Sequence, residues 1–285
     1  MDRLSAKDRL ALLARGAAVD LGNFHLLHYR HIDGFLVTAK NSGTHWLKYM
    51  LSNALAAELG LPPPQFASGR AANDFVGHPK WPHKYPKAPR IGSSHNLPSS
   101  ILGWRPVFHG LRLPPIVVLV RDVEQAMLSH YVKWREEHGL SLSDYVNAPP
   151  PGRRTVADVW WYIDFFNRWG RLAAKYPKNI IVVRYEDVRR DPGRWLKIIL
   201  DHYKVSLDPR SIEAAVAASA REVMRKELDP NAGELIIPAD LDRQGASFST
   251  EERVELHAKL AKYLKFSFGY DDAGSGDMAP YSALA

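Results

Sequence analysis

Three short apolar runs constrain this chain more than anything else in it. They are Phe35-Leu36-Val37-Thr38, Ile116 to Val120, and Ile180-Ile181-Val182-Val183. Each is continuous and rich in β-branched residues, as expected of strands buried on both faces of a parallel sheet. Each is followed by a polar turn and then by a helical pattern. The first helix reads Trp46 to Leu59 and is stopped by Gly60 and Pro62-Pro63-Pro64. The second reads Val123 to Trp134. The third reads Pro192 to Tyr203, with Asp191 as N-cap and proline at the first helical position. Strand, turn and helix repeated three times predict an α/β fold with a central parallel sheet flanked by helices. Further helical patterns cover Val156–Lys175, Ile212–Lys226 and Thr250–Lys265.

With 285 residues the chain is long enough for a sizeable core. One domain over residues 1–270 is expected, with a flexible, Gly-rich tail at 271–285. Residues 69–115 differ: they are rich in proline, poor in periodicity, and surround the short segment Arg90 to Ser94. Long structured loops of this kind are more often functional than accidental. The chain has no cysteine, which excludes disulfides, thiolate metal sites and a Cys nucleophile. No apolar run spans a bilayer and the N-terminus does not read as a secretory signal, so a cytoplasmic protein is expected. His25, His28 and His31 do not make a convincing metal set, because spacing of three then three drifts around a helix. No metal is expected.

The formal net charge is +7, which implies an anionic partner. Between residues 70 and 115, Arg70, Lys80, Lys84, Lys87, Arg90, Arg105 and Arg112 face one acid, Asp74. The surplus therefore belongs mainly to one loop region, and an anionic acceptor or membrane surface beside it is expected.

The turn Lys40-Asn41-Ser42-Gly43-Thr44-His45-Trp46 lies between the first strand and its helix. Small residues there let successive backbone N–H groups curl around an anion, and the helix directs its positive end at the same point. A Ser/Gly turn with a Thr cap explains the same residues without a ligand. The chain has no Gly-Lys dipeptide, so the nucleoside-triphosphatase form of such a turn is disfavoured, and no Gly-x-Gly-x-x-Gly follows any strand.

These residues resemble the sulfotransferases that use 3′-phosphoadenosine 5′-phosphosulfate (PAPS). Ser42-Gly43-Thr44-His45-Trp46 is similar to the family's 5′-phosphosulfate loop, with His45 in place of a second threonine. Arg121 and Ser129, eight apart after the second strand, resemble its 3′-phosphate motif. Tyr185-Glu186-Asp187 follows the third strand, with Arg190-Asp191-Pro192 beyond it. Ser94-His95-Asn96-Leu97-Pro98 resembles the segment carrying the catalytic base. Arg243-Gln244-Gly245 stands for the family's Arg-Lys-Gly. Two departures matter. Asn41 occupies the family's lysine position, with Lys40 one residue upstream, and the C-terminal segment continues Ala246-Ser247-Phe248.

The resemblance implies a P-loop-like nucleotide-binding fold and transfer of a sulfuryl group from PAPS to a hydroxyl, leaving PAP, with no metal. His95 would be the base and Lys40, with the loop amides, would stabilise the leaving phosphate. Asn41, Ser42, Gly43, Thr44, His45, Trp46, Arg121, Ser129, Tyr185, Arg243, Gln244 and Gly245 would hold the nucleotide. The acceptor would be a small-molecule, lipid or glycan hydroxyl. A PAP-binding but silent relative, a basic nucleic-acid-binding α/β protein and a small-molecule kinase are the other readings open at this point.

Overall fold

In the computed structural model, residues 4–69, 71–104, 112–153, 155–230 and 246–270 are described. Five strands, β1 (Gly34–Thr38), β2 (Val76–Gly77), β3 (Ile91–Ser94), β4 (Ile116–Val120) and β5 (Ile180–Arg184), form one sheet. All pairings are parallel, in the order β2-β3-β1-β4-β5. The apolar runs divide their side chains between two cores. Phe35, Val37, Ile116, Val118, Val120, Ile180 and Val182 enter one; Leu36, Val117, Leu119, Ile181 and Val183 enter the other. A strand buried on both faces has no reason to alternate polar and apolar residues, which is why the runs are continuous.

On the first face lie α1 (Ala6–Gly22), α2 (His25–His28), α4 (Val123–His138), α5 (Leu142–Val146), α6 (Val159–Lys175) and α11 (Thr250–Tyr263). On the second lie α3 (Thr44–Leu59), α8 (Pro192–His202) and α9 (Pro209–Ala218), with α7 (Tyr185–Arg190) and α10 (Arg221–Lys226) beside them. Helix α6 is central. Trp160, Trp161, Phe165, Phe166 and Trp169 are all buried, because the sheet covers one side of the helix and Phe266, Phe268 and Tyr263 cover another. Its aromatic residues are core.

Apart from the shortest elements, the sequence pattern departs from the structure in three places. Helix α4 runs one turn past Trp134, to Gly139 in the left-handed region. The single helix expected over 212–226 is two, broken at Ser219-Ala220, where the Ser219 carbonyl accepts the Trp46 indole N–H at 3.0 Å. Helix α1 was not anticipated at all. None of its residues is buried, so it carries little of the apolar periodicity by which helices are read. Among the described residues, no helix is long and apolar enough to cross a membrane.

Candidate active site

The carboxyl ends of β1, β3, β4 and β5 all open on one side of the sheet, at the point where the strand order reverses around β1. Crevices there are where open α/β sheets bind ligands. A cavity of about 940 Å³ occupies the position. Lys40, Asn41, Gly43, Thr44, His45, Trp46, His95, Arg121, Ser129 and Tyr185 all line it. Residues separated by up to 145 positions in the sequence thus meet in one cleft. Ser42 is fully buried just behind its wall. Arg243, Gln244 and Gly245 lie outside the described residues.

The turn after β1 needs its small residues. Asn41 and Gly43 both have positive φ, 57° and 87°. A Cβ on Gly43 would stand 2.6 Å from the Tyr185 ring, so no other residue fits there without moving that tyrosine. Gly43 caps α3 without any side-chain hydrogen bond, leaving the first amides of the helix open. Ser42 Oγ and His45 Nδ1 are buried without a hydrogen-bond partner. Such orphaned polar atoms beside an uncapped helix start fit a ligand that accepts or donates hydrogen bonds.

His95 follows β3. Its Nδ1–H donates to the Thr38 carbonyl at 2.8 Å, with Thr38 Oγ1 at 3.0 Å, and Thr38 Oγ1 lies 2.7 Å from Thr44 Oγ1. A carbonyl can only accept, so this bond fixes the tautomer and leaves Nε2 with a lone pair. The side chain is exposed, but to the cavity, with protein packed around its remaining sides. That desolvation first, and then the charges of Lys40, Lys48 and Lys133, pushes its pKa down to about 4 despite the Thr38 bond. His45 is lowered to about 3, also chiefly by burial. Burial likewise lowers Lys40, whose Nζ lies 3.5 Å from the Thr155 carbonyl and over the Trp161 ring.

Arg121 does not pair with its neighbour Asp122, which instead caps α4 by accepting from the Gln125 amide at 2.9 Å. The guanidinium of Arg121 lies over the Tyr185 ring, 4.9 Å from its centroid, and donates to the Asn41 carbonyl at 3.2 Å. Tyr185 heads α7 and also meets Trp46 edge-on at 5.8 Å. Glu186 holds this corner together, accepting from the Asp122 amide and, at 2.5 Å, from the Tyr270 hydroxyl.

Among the described residues, five cations, Lys40, Arg121, Lys133, Arg189 and Arg221, face the cavity against one acid, Glu137. Lys80, Lys84 and Lys87 are not among its lining residues, and Lys84 pairs with Asp74 at 2.5 Å. Sequence reasoning missed Lys133, Trp134, Glu137 and His138, although positions four and eight after Ser129 lie on its helix face. It also missed His130. His25 packs against Tyr29, Phe35 and His78 in the core, away from the cavity. Among the described residues no group of His, Asp and Glu could hold a metal.

A family model described as "Sulfotransferase domain" matches residues 82–255, more than half of the chain. The chain belongs to the sulfotransferase family. Among solved structures, a mouse sulfotransferase complexed with PAP is similar over 93% of this chain and 92% of that one, with 15% identity and a TM-score of 0.53. Retinol dehydratase in complex with androsterone and inactive cofactor PAP is similar over 90% of this chain and 86% of that one, again at 15% identity and TM-score 0.53. At that identity the likeness concerns the fold. No curated protein matches the sequence.

Proposed function

We propose that this sulfotransferase-family protein transfers a sulfuryl group from PAPS to the hydroxyl of an acceptor, with the reaction centred between His95 and the turn after β1. The observation that carries the reading is the fixed tautomer of His95: Nδ1–H held by the Thr38 carbonyl, in a cavity walled by the phosphate-type turn and by Arg121 and Ser129. The residues present suit the nucleotide. Orphaned His45 Nδ1 and the uncapped amides of α3 match the 5′-phosphate, with orphaned Ser42 Oγ just behind them. Arg121 and Ser129 match the 3′-phosphate, which a guanidinium recognises well. Trp46 and Tyr185 offer ring surface for adenine.

In the reaction, His95 Nε2 takes the proton of the acceptor hydroxyl as its oxygen bonds to sulfur. The bond between sulfur and the bridging oxygen of the 5′-phosphate breaks, and PAP leaves with the added charge on that phosphate. Catalysis of this kind is mostly positioning and electrostatic stabilisation. The turn amides supply donors. Lys40, whose charge also acts on His95, supplies the cation although it stands one residue upstream of the family's lysine.

Labelled PAPS with a panel of hydroxyl acceptors tests this. His95→Ala is expected to lose turnover by about two or more orders of magnitude while PAP binding survives. Arg121→Ala is expected to weaken PAP binding first. Absence of PAP binding at millimolar concentration would rule the reading out. PAP binding without transfer to any acceptor would leave a silent relative.

A further inference from the structure

Asn41 departs from its family's lysine, and its amide is committed to another task. Its side-chain oxygen lies 2.8 Å from His130 Nδ1, and its Nδ2–H donates to the Ser129 carbonyl at 3.4 Å. Its own carbonyl accepts from Arg121. One residue of the 5′-phosphate turn thus binds both residues matched to the 3′-phosphate: Arg121, just before α4, and Ser129 on it, with His130 beside Ser129.

His130 sets the direction of this link. It is 3% exposed, and its Nε2 accepts from the Ala157 amide at 3.3 Å. An acceptor at Nε2 requires the proton on Nδ1, so Nδ1–H donates to Asn41 Oδ1. That in turn orients the Asn41 amide with its nitrogen toward Ser129. Burial, and then the charge of Lys40, lower His130 to about 3, so the imidazole stays neutral and the link intact above acidic pH. Asn41 also holds φ at 57°, a conformation asparagine tolerates better than lysine.

We infer that Asn41 and His130 are positioning residues that fix the 3′-phosphate arm of the cavity against its 5′-phosphate turn, so that recognition of the nucleotide's two ends is coupled. The inference rests on the nucleotide reading above. It makes Asn41 a strut between protein groups and leaves phosphate charge to Lys40, Arg121 and the amides.

The test is calorimetric binding of PAP and of 5′-AMP, which lacks only the 3′-phosphate, together with the melting temperature. Wild type prefers PAP. Asn41→Ala lowers the PAP/AMP affinity ratio about tenfold or more, through loss of PAP affinity. The two amide substitutions of His130 separate positioning from packing. In His130→Asn the amide nitrogen replaces Nδ1 and keeps the donor to Asn41, but orphans the Ala157 amide; it lowers the melting temperature and keeps the ratio within about threefold. His130→Gln replaces Nε2 and keeps the Ala157 partner; it melts near wild type and loses the ratio. If Asn41→Ala does not fold, the His130 pair decides. If wild type prefers PAP but the ratio is unchanged in these variants, or if His130→Asn and His130→Gln behave alike, the inference is overturned. If wild type does not prefer PAP, the nucleotide reading itself fails and the inference falls with it.

Discussion

At the scale of single residues, the site is built from positions with very little tolerance. Gly43 is the sharpest case. Its φ of 87° and its approach to Tyr185 are two independent reasons for glycine. Gly43→Ala is expected to cost about 1–3 kcal/mol of stability, and to displace Tyr185 enough to weaken PAP binding, read by thermal melting and calorimetry. His95 allows a prediction from pH. Its folded-state pKa is depressed to about 4, so it is already an unprotonated base at pH 6. The acid limb of kcat/KM, which reports the free enzyme, should therefore fall near pH 4 instead of near 6.5. A limb near 6.5 would mean that another group is the base. Much of this was legible in the sequence, because the turn residues and the Arg121/Ser129 spacing are local patterns. The His130 link was not legible. It joins Asn41 and Ala157 across 89 and 27 positions, and no local pattern records either contact.

At the scale of elements, the strands were the most readable, since burial on both faces leaves an unbroken apolar run. β2 was not readable: it pairs over Val76 and Gly77 alone, too short for any periodicity. Nor was α1 readable, because only partly buried residues such as Leu12 and Val19 meet the core and polar contacts help to dock it. Arg168 reaches it from α6, bonding Asp20 at 2.6 Å and the Gly16 carbonyl at 3.2 Å while also holding Asp164, Pro98 and Ser100. Burial alone would raise the Asp20 pKa, but the Ser100 amide and Arg168 outweigh it and hold the carboxyl below its usual value. That contribution is present at neutral pH and is lost as pH falls through the depressed pKa. Arg168→Met should cost about 2–3 kcal/mol, below the loss for a fully buried pair, because Asp20 and Asp164 side chains keep 25% and 28% of their surface in water. Limited proteolysis should show α1 released, with PAP affinity unchanged.

At the scale of the whole molecule, the buried imidazoles set an acid limit. His45 and His130 have folded-state values near 3, against about 6.5 in the unfolded chain. Between those values the unfolded state binds protons that the folded state does not. Stability is therefore complete above pH 6.5 and declines as pH falls toward 3, by on the order of 1–2 kcal/mol for each histidine at pH 5. Melting curves from pH 8 to 5 measure it, and a flat profile would contradict it. The sheet order carries a different consequence. β1 is made early, yet its two neighbours are β3, near residue 91, and β4, near residue 116. During synthesis the first strand therefore waits, apolar on both faces, until some eighty further residues have been added. Among the described residues, the last wall of the cleft arrives only with Arg221 and Met224. Long-range parallel pairing of this kind folds slowly and exposes sticky intermediates. A growing chain of this protein therefore carries an unpaired apolar strand well before its cleft exists, and gains from anything that shields it.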